Sequence, residues 1–202
     1  MKSHSEGDFQ RLCFVFFLLC FYFLIEVIGG ACSRSLVLFA DAGHLVMDIF
    51  TVGVSLIAIW ISKKKPTSIF YGRVQVFAPL FNGISLIIAS LWIFGLACYR
   101  VFHLQQVEVI GLWVAGVGFF GVLINGFCIW FLSQGRKTQS LNSKSVLLHL
   151  LTDVLSTMIA MLSGLVIWRF HILWLDPILS IVMSGFIFYQ ATKLTMHCKA
   201  LI

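Results

Sequence analysis

Residues 36–61 read LVLFADAGHLVMDIFTVGVSLIAIWI. A bilayer's hydrocarbon is crossed by a helix of about 20 apolar residues, and this run is long enough. It is too long and too uniformly apolar for a transmembrane β-strand, which would alternate over about 10 residues. Yet it contains Asp41, His44 and Asp48. A charged side chain at the bilayer centre costs at least about 2.5 kcal/mol on insertion scales, so such residues need a partner, a cavity or an ion. The stretch reads as a membrane helix with one chemically active face.

Five more apolar runs surround it. The six predicted spans are 12–32, 36–61, 74–99, 109–132, 146–168 and 174–194. The chain is 60% hydrophobic and 11% charged, against about 25% charged in ordinary soluble domains. Too little charge remains to cover a water-facing surface. The expected fold class is therefore all-α: a polytopic membrane protein, a six-transmembrane-helix bundle. Residues 1–11 are expected to be a cytoplasmic N-terminal tail, 12–196 a six-helix transmembrane domain, and 197–202 a truncated cytoplasmic C-terminal tail. Lys2 and Arg11 before the first run resemble a signal peptide. The run is longer than a signal core and more spans follow, so it is read as a retained helix.

The breaks agree. Ser62-Lys63-Lys64-Lys65-Pro66 stops the second run, and Ser133-Gln134-Gly135-Arg136-Lys137 stops the fourth. Asp176-Pro177 suits the first turn of the sixth helix, nearer an interface than the other acids. Five glycines in the fourth run, Gly111, Gly116, Gly118, Gly121 and Gly126, read as close helix packing. Phe16, Phe17, Trp60, Trp130 and Trp168 read as lipid-facing or interfacial. The six cysteines include no C-x-x-C pair and most read as small hydrophobes.

Six spans put both termini on one side. That side carries Lys2, Arg11, Lys63, Lys64, Lys65, Arg73, Arg136, Lys137, Lys144, Lys193 and Lys199; the other carries only Arg34, Arg100 and Arg169. The positive-inside rule makes the first side cytoplasmic. The net charge of +6 is thus explained by topology, and no extended basic surface is left for nucleic acid.

Two motifs carry the chemistry: His44-Leu-Val-Met-Asp48 in the second run and His149-Leu-Leu-Thr-Asp153 in the fifth. Residues four apart share a helix face, one turn along. One such pair can be a helix-internal hydrogen bond. Two, both inside spans, are better explained by convergence on an ion. Two imidazole nitrogens and two carboxylate oxygens suit tetrahedral zinc at about 2.0–2.2 Å, and two carboxylates neutralise one divalent charge. Magnesium and calcium prefer oxygen shells; cadmium, cobalt, iron, nickel and manganese remain open. Imidazole must lose its proton to bind metal, so metal and protons compete for the site.

Other polar residues leave alternatives. Asp41 either shares the cavity, orienting an imidazole or helping a proton path, or caps a local irregularity. Glu26 either pairs with a basic residue or acts in proton movement. Asn82 and Gln75 read as helix–helix hydrogen bonds.

The segments Ser35-Leu-Val-Leu-Phe-Ala-Asp-Ala-Gly-His44 with Asp48, Tyr71-Gly-Arg-Val-Gln-Val-Phe-Ala-Pro-Leu-Phe-Asn-Gly83, His149-Leu-Leu-Thr-Asp153 and Asp176-Pro-Ile-Leu-Ser180 together resemble the cation diffusion facilitator family, which includes zinc efflux transporters. The resemblance covers nearly the whole chain. It implies a six-helix bundle with cytoplasmic termini, a metal site at His44, Asp48, His149 and Asp153, exchange of cytoplasmic metal for protons, and a homodimer. It also implies zinc as transported substrate, because a His-containing quartet goes with zinc and an Asp in place of the second-helix His goes with manganese or broader choice. Family members usually carry a cytoplasmic domain after the sixth helix, and this sequence stops at Ile202. The expected function is secondary export of zinc, with no cofactor and no covalent catalysis, from the plasma or inner membrane. The alternative is a transport-inactive structural partner of a full-length relative.

Overall fold

The computed structural model describes residues 2–64, 69–103, 108–133 and 141–199. Side chains are described except at 2–8, 55, 58–59, 61–64, 69–79, 132, 141–152, 197 and 199. Six helices follow in order: α1 Lys2–Ser33, α2 Leu36–Lys64, α3 Ile69–Phe102, α4 Gly111–Ser133, α5 Leu141–Phe170 and α6 Leu175–Lys199. Each contains a stretch long and apolar enough to cross a membrane, and the protein is an integral, multi-pass membrane protein.

Most helices overrun their predicted spans. α1 begins at Lys2, although its apolar stretch is Phe9–Ser33. The residues expected as a tail are already helical. Apolar content marks where lipid begins, but helical hydrogen bonding continues past that point until a breaker ends it. The final helix likewise runs on to Lys199.

The surface is inverted relative to a soluble protein. All six tryptophans are at least half exposed, from Trp174 at 50% to Trp92 at 71%. Glu26, Asp41, His44, Asp153 and Asp176 are all buried. Lipid supplies the outer solvent, so apolar rings face out and ionisable groups face in.

The closest pairings are α3 with α6 and α4 with α5, while α2 contacts α1, α3, α5 and α6. The α4–α5 seam uses small residues. A Cβ on Gly118 would lie 2.7 Å from Met161 Cα, and one on Gly111 or Gly164 would collide with the facing backbone. Gly121 leaves room for Tyr22 and Thr157. Gly116 and Gly126 face open space, so the packing explanation holds for only part of the glycine series.

The α1–α2 corner is tight. Arg34 takes a left-handed conformation (φ 57). Its N–H bonds the Ala31 carbonyl at 3.4 Å, and Ser35 N–H bonds the Gly30 carbonyl at 3.1 Å. These two bonds close α1 as a Schellman motif with arginine where glycine is usual.

Candidate metal centre

α2 delivers His44 and Asp48 from one face, and α5 delivers Asp153. One ligand atom from each lies within 4.8 Å of the other two. His44 Nε2 is 3.0 Å from Asp153 Oδ1, a pair 109 positions apart in sequence. His44 and Asp153 are buried, and Asp48 is half-buried. The His44 ring rests edge-on against Phe186 of α6, with centroids 6.1 Å apart. Three of the four residues in the two paired motifs therefore meet. The fourth, His149, belongs to α5, one turn before Asp153; its side chain lies outside the described residues. Gln75 does too.

Hydroxyls of the next turn brace the α5 backbone at Asp153. Thr157 Oγ1 bonds the Asp153 carbonyl at 2.9 Å and accepts Asn125 Nδ2 from α4 at 3.1 Å. Ser156 Oγ lies 2.9 Å from both Asp41 Oδ1 and the Asp153 carbonyl, so its single proton is shared. Asp41 thus faces the cavity and ties α2 to α5; it does not cap an irregularity. Glu26 joins the same cavity, with Tyr22, Asp41, His44, Asp48, Asn125, Asp153, Ser156 and Thr157 around about 10 Å³. That is room for about one water-sized occupant. Among the described residues no lysine or arginine lines it. Asn82 is buried, but its Oδ1 has no partner among the described residues.

Sequence reading missed Tyr22, Asn125, Ser156 and Thr157. Each alone is an ordinary polar residue of a membrane helix. The available signal was spacing: Ser156 and Thr157 follow Asp153 by three and four positions, on its own face.

Asp176 differs more from expectation. It sits in the first turn of α6, but it is completely buried and caps a different helix. Its carboxylate accepts Ser35 Oγ at 2.5 Å, Leu36 N–H at 3.0 Å and Val37 N–H at 3.3 Å. Arg100 Nη1 reaches Asp176 Oδ2 at 3.5 Å and the Arg34 carbonyl at 2.5 Å. The start of α2, the end of α3 and the start of α6 are thereby joined around one carboxylate.

The sequence profile of the cation efflux transmembrane domain matches residues 13–199. The chain is 30% identical over 203 residues to the cadmium, cobalt and zinc/H(+)-K(+) antiporter of Bacillus velezensis, covering 96% of this chain and 64% of the relative. It is 32% identical over 193 residues to zinc transporter ZitB of Yersinia pestis, covering 94% and 61%. It is 29% identical over 186 residues to the metal cation efflux system protein CzcD of Cupriavidus metallidurans, covering 90% and 58%. The chain thus spans about three fifths of the length of these relatives. With a match across nearly every residue of the bundle, this chain belongs to the cation efflux family, the cation diffusion facilitators.

Proposed function

We propose that this protein exports divalent transition-metal cations, zinc first, from the cytoplasm in exchange for protons, as a secondary transporter rather than an enzyme. The observation that carries the reading is the convergence of His44, Asp48 and Asp153 from two helices. At bond lengths of about 2.0–2.2 Å, tetrahedral ligand atoms stand about 3.4 Å apart, so a small closure of the triad would seat an ion. His149, one turn from Asp153, is the proposed fourth ligand. The set would then offer two nitrogens and two oxygens, and its two carboxylates would balance the ion's charge.

The triad also supports exchange. His44 and Asp153 satisfy one another across 3.0 Å. A metal must break that contact and take both atoms, and imidazole binds metal only when unprotonated. A proton re-entering the pair would favour metal release. Glu26 and Asp41 line the same cavity and are proposed to assist that proton traffic. The relatives' names include zinc, cadmium and cobalt, and one names proton and potassium exchange. The same metals, and by ligand chemistry nickel, iron or manganese, are the candidate cargo here. Cytoplasmic termini, a plasma or inner membrane and a homodimer complete the proposal; residues 12–196 form its transport domain.

The test is metal flux in sealed vesicles containing only this chain, comparing wild type with His44→Ala and Asp153→Ala. Zinc movement that follows an imposed pH gradient and is lost in both folded variants supports the reading. Flux equal in all three would remove the triad from the mechanism. No flux in the wild type, with zinc still bound, would favour a transport-inactive partner subunit instead.

A further inference from the structure

α2 packs on both α1 and α3, but among the described residues α1 and α3 hardly meet. The valley between them is a cleft of about 590 Å³, lined by Phe39, Ala42 and Gly43 of α2, Phe23 of α1, and Ala89 and Trp92 of α3, among others. That volume is within the roughly 300–1,000 Å³ of small-molecule sites. Along α3 the lining runs from Ser85 to Arg100, a rise of about 22 Å. The hydrocarbon of one leaflet is about 15 Å deep, so the cleft is long enough for an acyl chain laid along it.

The lining is apolar apart from Ser85 and Arg100. Ser85 spends its hydroxyl on the Phe81 carbonyl of its own helix at 3.0 Å. Arg100, at the mouth, uses Nη1 on the Arg34 carbonyl and Asp176. Its Nε and Nη2 have no partner among the described residues. Arg34 brings a second, exposed guanidinium to the same corner and makes no ion pair among the described residues. Asp176 offsets Arg100, which leaves the charge of Arg34 unbalanced. Exposed Glu108, in the α3–α4 connection, pairs with neither arginine.

The depth is that of a headgroup. Trp113, Trp168 and Trp174 stand near the ends of neighbouring helices at this same end of the bundle, and each is at least half exposed. Exposed tryptophans of this kind mark the boundary between hydrocarbon and headgroups. Arginine forks there match phosphate oxygens in shape and charge.

The cleft therefore asks for an apolar chain joined to an anion. Two basic groups at the mouth repel a divalent cation. A helix of a second copy would bring apolar surface without the anion. Among the described residues no membrane helix exposes a carboxylate: Glu26, Asp41, Asp153 and Asp176 are buried, and Asp48 belongs to the triad. A phospholipid supplies both parts in one molecule.

We infer that the α1–α2–α3 cleft binds an anionic phospholipid, with one acyl chain along α3 and its phosphate held by Arg34 and the free N–H groups of Arg100. Gly43 in the cleft precedes His44 in the triad, so the lipid braces the helix that presents the metal ligands. The inference stands whether or not the triad binds metal.

The test places the full chain in phosphatidylcholine nanodiscs. A minor fraction of the lipid is phosphatidylglycerol or phosphatidylcholine brominated along its acyl chains. Bromine quenches tryptophan emission at contact, and the signal of Trp92 is isolated by difference from Trp92→Phe. Trp92 quenching should report about a fivefold preference for phosphatidylglycerol, the factor one arginine contributes near an anionic lipid. Arg34→Gln should bring that preference close to one. Ala89→Phe, which fills the cleft and keeps the charge, should do the same. If Ala89→Phe fails to fold, Arg34→Gln decides, because its side chain makes no ion pair that folding needs. A wild type without preference, or a preference that survives in either folded variant, overturns the proposal. So does a Trp92 that neither lipid quenches, the sign of a second copy seated in the cleft.

Discussion

Asp176 caps a helix that begins 140 residues before it: its Oδ2 accepts the backbone N–H of Leu36 at 3.0 Å. The first N–H groups of a helix have no partner inside it, and in a membrane protein a missing partner is costly. A side-chain carboxylate supplies both hydrogen-bond acceptance and charge complementary to the positive helix end. Asp176→Ala should therefore lower stability by about 1–3 kcal/mol, read as an earlier thermal unfolding midpoint in detergent. Asp176→Asn, which keeps acceptor oxygen but not charge, should cost less. Equal unfolding of all three proteins would show the cap to be dispensable.

Arg34 occupies a left-handed position that glycine takes more cheaply. What Arg34 contributes to the corner, bonds to Ala31 and Arg100, passes through its backbone. Arg34→Gly should keep these contacts and stabilise the chain by a few tenths to about 1 kcal/mol. A lower unfolding midpoint would mean that the exposed guanidinium itself matters.

The α4 glycines should separate into two classes. Gly118→Ala places a methyl 2.7 Å from Met161 Cα and should push α4 and α5 apart, lowering the midpoint. Gly116→Ala meets nothing within 4 Å and should be neutral or slightly stabilising, since alanine favours the helix by about 1 kcal/mol. Identical midpoints for the two variants would contradict this seam.

Zinc affinity should depend on pH with a defined sign. Metal binding requires neutral imidazole, whose reference pKa is about 6.5. Protons compete increasingly as pH falls, so affinity should weaken towards acid. Replacing His44 by aspartate should flatten this dependence and shift preference towards harder ions such as manganese. Competitive titration of zinc and manganese at several pH values checks both. An unchanged pH profile in His44→Asp would separate the imidazole from the metal.

The triad was legible because its residues violate their surroundings. Acids and histidines in apolar runs demand a reason, and the spacing of His44 from Asp48 sets them on one face. The six helices were legible from the same apolar runs, but their ends were not, because lipid sets hydrophobicity while hydrogen bonding sets helix length. Asp176 illustrates a further limit. Local rules put it rightly in the first turn of α6, but only the packing of α6 on α2 makes it the cap of a distant helix. Glu26 was visible as an anomaly, whereas Tyr22 was hidden among aromatics that mostly face lipid.

The central claim is that His44, Asp48 and Asp153, with His149, surround one divalent ion. Zinc K-edge X-ray absorption on the zinc-loaded chain tests it most directly. The predicted spectrum has a nitrogen and oxygen shell at about 2.0–2.2 Å, with imidazole scattering that weakens in His44→Ala. A sulfur shell at about 2.3 Å, drawn from the cysteines, or a spectrum unchanged by His44→Ala, would contradict it.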